Sequence, residues 1–135
     1  MKLIMLSAAA VVSLALVTLT IPGTASEGFS VKEYDEFHKV LHPLEHEALP
    51  KKDFGRIRAN AEELMKKGRA IVELGVPQGT SEANVEEFKK ELGRFSAALD
   101  KFSADAKNGS DEQLKTSYSA VHDSFEVLAG MLPRK

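Results

Sequence analysis

The chain has 135 residues, with 18 lysines and arginines against 20 aspartates and glutamates, four histidines and no cysteine. At a net charge of −2, and without a basic cluster dense enough to neutralise a run of phosphates, nucleic acid is not an expected partner. The missing cysteines exclude disulfides and thiolate metal sites, so a single packed core must supply the stability.

Met1-Lys2, the apolar run Leu3 to Ile21 and the break Pro22-Gly23-Thr24-Ala25 read as a secretory signal spanning 1–25, cut after Ala25. The apolar run approaches the ~20 residues that cross a bilayer, so an uncleaved anchor is the alternative, and contact with a membrane is expected only in that case. In both cases the domain 26–135 is expected outside the cytoplasm, in the periplasm or secreted. Without Lys2 it carries 17 basic against 20 acidic residues, about −3, and keeps only Met65 and Met131, which disfavours a soft-ligand Cu(I) store.

Ser30-Val31-Lys32-Glu33 has the form of a capping box, after which Tyr34, Phe37, Leu41, Leu44 and Ala48 recur at helical spacing. Pro43 removes a backbone donor inside this first helix and predicts a kink near His38 to His42, with Leu49-Pro50 as the end. Asp53 predicts the cap of a second helix carrying Phe54, Ile57, Ala61, Leu64 and Ile71 and closing at Gly75. A third opens at Gly79-Thr80-Ser81, bears Val85, Phe88, Leu92, Phe95, Leu99 and Phe102, and stops at Asn108-Gly109. Ser110-Asp111-Glu112-Gln113 is a second capping box, followed by Leu114, Tyr118, Val121, Phe125, Leu128 and Leu132 before Pro133.

Four amphipathic helices with short turns and no strand pattern predict an all-α fold, an antiparallel up-down-up-down four-helix bundle. Tyr34, Phe37, Phe95, Tyr118 and Phe125 are expected in its core. Gly55, Gly68, Gly93 and Gly130 are expected where helices approach closely. Glu86, Glu87, Lys89, Lys90 and Glu91 read as a solvated face. No phosphate loop, nucleophile elbow or Ser/His/Asp arrangement is present, so an enzyme is not expected.

The four histidines carry the chemistry. His38, His42 and His46 are spaced by four, the interval that turns imidazoles on one helix toward a common point. Pairing the first helix against the last puts His122 level with position 40, midway between His38 and His42, whose Cα atoms differ by about 6 Å in height. A similar count puts Glu63 of the second helix near position 39. Strict helical periodicity turns His46 away from the Leu41/Leu44 stripe, and only a kink at Pro43 brings it inward. Glu45, Asp123 and Glu126 lie near in sequence.

The run His42-Pro43-Leu44-Glu45-His46-Glu47-Ala48-Leu49-Pro50 resembles the H-x-x-x-H-E-A-apolar-P segment of the periplasmic nickel and cobalt resistance sensors, which are small helical proteins. The resemblance implies His42, His46, Glu63 and His122 as ligands, with Glu126 standing where those sensors carry a methionine. Tyr118, Val121 and His122 resemble the C-x-x-C-H positions on the fourth helix of cytochrome c prime bundles. Both cysteines are missing, so covalent haem is excluded, and noncovalent haem b between His38 or His42 and His122 is the alternative cofactor.

A divalent cation wants four to six donors where haem iron takes two, and imidazole with carboxylate suits Zn(II), Cu(II), Ni(II) or Co(II). The expected protein is a periplasmic bundle that binds such an ion through residues drawn from His38, His42, His46, Glu63 and His122, for sensing, buffering or delivery. The expected partner is the ion itself, with a homodimer as an allowed assembly. The alternatives are a noncovalent haem bundle and a structural or interaction bundle without ligand, in which the histidines form a solvated face.

Overall fold

The computed structural model describes residues 28–134; the expected secretory segment lies outside them. The described chain is all-helical: α1 (Lys32–Pro43), a π-helical turn continuing from it (Leu44–Ala48), α2 (Phe54–Ala59), α3 (Ala61–Leu74), α4 (Glu82–Asn108) and α5 (Asp111–Gly130). Among the described residues none lies in a strand, and no helix is long and apolar enough to cross a membrane.

Five helices stand where four were expected, because the second is broken. At Asn60 the backbone turns to φ −99°, ψ 1°, and the Asn60 side-chain amide donates to Arg56 O at 2.8 Å. A short polar side chain that bonds its own preceding turn competes with the helix ladder, which separates α2 from α3. The α2 start is as expected, with the Asp53 carboxylate accepting from Arg56 N at 3.0 Å.

The two capping boxes differ in outcome. Ser110 and Gln113 form theirs reciprocally. Ser30 does not: Val31 stands at the N-cap without a side-chain bond, and the Ser30 hydroxyl donates to Pro133 O at 2.7 Å, tying the start of α1 to the end of the described chain.

α4 packs along α5, while α3 lies against both α1 and α4. The core between them contains every aromatic expected there, Tyr34, Phe37, Phe95, Tyr118 and Phe125, with Phe88 and Phe102. At about 1.5–3 kcal/mol for each fully buried large apolar side chain, this layer is the main source of stability. Of the four helical glycines, Gly68 alone matches the expected close approach: a Cβ there would meet Leu99 Cδ2 at 2.7 Å and Phe37 Cε2 at 3.2 Å. Gly93 and Gly130 face open space, and Gly55 would meet only the Asp53 carboxylate.

One member of the charge run is not solvated. Glu91 is buried against α5, accepting from the Ser124 hydroxyl at 2.8 Å and from Arg94 at 3.0 Å. It falls one residue before Leu92 on the inward stripe, and two donors offset its desolvation. Arg58 closes the far end of α4, donating to the carbonyls of Ala106 and Gly109 and sharing that of Asp105 with Gly109 N–H.

Candidate metal centre

The site begins with Pro43. It cannot donate to the preceding turn, and the backbone beyond it closes over five residues instead of four: Leu49 N–H donates to Leu44 O at 2.8 Å and Asp53 N–H to Ala48 O at 2.9 Å. The kink expected near His38 to His42 is not there: Lys32–Pro43 is α-helix, and the irregularity is a π turn over Leu44–Ala48, just after the proline. Such a turn carries an i→i+5 hydrogen bond and is wider than the regular helix. The ring centroids of His38 and His42, on regular helix, are 5.2 Å apart, whereas those of His42 and His46 are 4.3 Å apart. His46 lies on the same side as its two predecessors, all three lining one cleft.

All four histidines line one cleft of about 480 Å³ between the α1/π segment and α5. Leu41 and Phe125 form its floor, Phe29 walls one side, and Glu45 and Glu126 add carboxylates. His122 is half-buried, with Nε2 at 3.5 Å from Glu126 Oε1 and 4.0 Å from Glu45 Oε1, and Nδ1 at 3.4 Å from Asp123 Oδ1. Side chains on a helix lean toward its N-terminus. His122 therefore meets the chain at Glu45, beyond the level of position 40 expected from Cα heights alone.

His42 and His46 are exposed at the mouth of the cleft, and His38 is set deeper. The His38 ring meets Phe29 edge-on at 5.2 Å and stacks over Phe125 at 6.2 Å. Burial, followed by the neighbouring His42, His46 and His122, holds its pKa below the ordinary imidazole value, with Asp35 opposing. Beneath the cleft the Tyr118 hydroxyl donates to Leu41 O at 3.3 Å. Burial, and after it the negative charge of Glu45, pushes the phenol well above the usual tyrosine range, so it stays a donor.

Glu63 is not part of this assembly. It is exposed and lines a separate hollow with Lys39, Pro43 and Arg56. Of the expected site residues, His38, His42, His46 and His122 are brought together and Glu63 is left apart. Glu126 enters by standing one turn after His122, a spacing visible in the chain, whereas Phe29 precedes any helical pattern and gave no signal.

Among the described residues, no three His, Asp or Glu side chains are gathered closely enough to hold an ion as they stand. The donor chemistry nevertheless suits one. Ligands bound at about 2.1 Å in a tetrahedron lie about 3.4 Å from one another, close to the 3.5 Å and 4.0 Å between His122 and its two carboxylate neighbours. Any further donors would have to come from His42 and His46, which are exposed and line the same cleft. Compared with protein-family models, with curated proteins and with solved structures, the chain shows no match.

Proposed function

We propose that this chain is an exported metal-binding protein that holds a divalent ion of the Zn(II), Cu(II), Ni(II) or Co(II) class between the α1/π segment and α5. The observation that carries this reading is that every histidine of the chain lines one cleft, together with two carboxylates. Neutral imidazoles gathered with carboxylates in one cleft are the donor set that a borderline divalent cation takes. His42, His46 and His122 are the imidazole ligands in this reading, and His38, held between aromatic rings, backs the site.

The frame is an antiparallel up-down-up-down four-helix bundle in which α2 and α3 together form the second helix. The pairings Ser30 with Pro133, Phe37 with Phe125 and Leu41 with Tyr118 run in opposite directions along α1 and α5 and support it. The N-terminal segment supports a periplasmic or secreted protein. Capture, buffering, sensing or delivery fits an open cleft better than catalysis, for which the sequence offers no nucleophile motif. Kinship with the nickel and cobalt sensors remains a proposal on the His42–Pro50 motif and His122, since Glu63 stands apart and Glu126 replaces the methionine.

Metal analysis and an absorption spectrum of protein produced without a histidine tag test this function. One equivalent of a divalent transition metal, retained through gel filtration, is expected. Protein that takes up none at micromolar metal, or that carries a Soret band from haem b, would overturn it.

A further inference from the structure

Glu45 holds an unusual position for a carboxylate. It lies on the π turn between the two exposed histidines, and its side chain is 25% exposed, yet Oε2 is sealed from solvent with no hydrogen-bond partner among the described residues. Its other oxygen, Oε1, lies 4.0 Å from His122 Nε2. The Tyr118 hydroxyl lies near enough to Glu45 for the carboxylate to raise its pKa, but it has a single proton, which is aimed at Leu41 O 3.3 Å away, so Glu45 Oε2 competes with a backbone carbonyl for its one neighbouring donor. A buried carboxylate oxygen without a donor is costly, and the cost is removed by a proton, a rearranged donor or a cation.

We propose that Glu45 is the carboxylate ligand of the metal centre, binding the ion opposite His122 and setting the site's preference for a hard-to-borderline divalent ion over Cu(I). This rests on the metal-binding reading above. The π turn gives it a structural reason: widening the turn at Leu44–Ala48 aims Glu45 and His46, from adjacent positions, at one cleft. Glu126, on the exposed flank of α5, is the weaker carboxylate, because its oxygens keep their water. Glu63, in its separate hollow, contributes nothing.

Zn(II) is the probe, titrated in competition with a chelator into untagged wild type, Glu45→Gln, Glu126→Gln and Glu63→Gln. Glu45→Gln is expected to lose at least ten-fold in affinity, Glu126→Gln less, and Glu63→Gln nothing. Without metal, Glu45→Gln is expected to melt no lower than wild type, since it removes the carboxylate whose Oε2 lacks a hydrogen bond, while the rise in Tm on adding Zn(II) shrinks. A merely structural glutamate would do the reverse, lowering the metal-free Tm and leaving affinity unchanged. Should Glu45→Gln fail to fold, Glu45→Asp loaded with Co(II) replaces it, and a visible spectrum identical to wild type would count against Glu45 as a ligand. Wild type that binds no Zn(II) would overturn the metal reading itself; wild type that binds while Glu45→Gln binds equally well would overturn only the role of Glu45.

Discussion

His38 is the residue whose environment most changes its chemistry. Burial beside Phe29 and Phe125, with His42, His46 and His122 around it, lowers its pKa in the folded protein. Protonation then favours the unfolded chain, whose imidazole titrates near 6.5, so the stability of the metal-free protein should fall as the pH drops below about 6.5. Melts in chelator from pH 8 to 5 should show this decline, and His38→Gln should flatten it; an unchanged slope would remove His38 as the cause. The three histidines of the first helix should also differ as ligands. His42→Ala should cost the most Zn(II) affinity, His46→Ala somewhat less, and His38→Ala least, as read by chelator competition. The histidine cluster was legible because spacing by four is a local pattern. The burial of Glu45 Oε2 was not, because it depends on Tyr118 and on how α5 leans across the π turn.

At the scale of elements, Pro43 and the π turn set the geometry of the cleft. Proline inside a helix costs about 3 kcal/mol, so Pro43→Ala should raise the Tm while weakening Zn(II) binding several-fold as the chain relaxes toward a regular helix and His46 turns outward. A variant both more stable and unimpaired in binding would show that the turn has no part in the site. Gly68 and Gly93 make a second test. Gly68→Ala sets a Cβ 2.7 Å from Leu99 Cδ2 in a closed core and should destabilise by about 1–2 kcal/mol once the gain in helix propensity is subtracted. Gly93→Ala meets nothing within 4 Å and should stabilise by about 0.5–1 kcal/mol, both read from urea unfolding. Both glycines look alike in the sequence, since single glycines in helical patterns carry no record of what lies opposite. The same limit explains the caps: Ser110 bonds three residues away, whereas the Ser30 hydroxyl finds Pro133 across 103 residues.

For the whole molecule, the helical stripes identified the buried face of every long helix, because apolar periodicity and packing express one pattern. The break at Asn60 and the inward Glu91 departed from it, each through a side-chain bond that periodicity does not record. The large-scale consequence of the proposed site is that one ion would join the α1/π segment to α5, two parts of the chain that otherwise meet mainly through the rings of Tyr118 and Phe125. An ion held at a hundred times its Kd would stabilise the fold by about 2.7 kcal/mol. His122 is the only histidine outside the first helix and its π extension, so a bridging site must use it. The decisive measurement is therefore a Zn(II) titration of untagged wild type beside His122→Ala. Even outer-shell partners of a metal are worth about 10–100-fold, so loss of this ligand should weaken binding at least 100-fold and abolish the metal-dependent rise in Tm. Equal affinity in the two proteins would contradict a site shared between the helices.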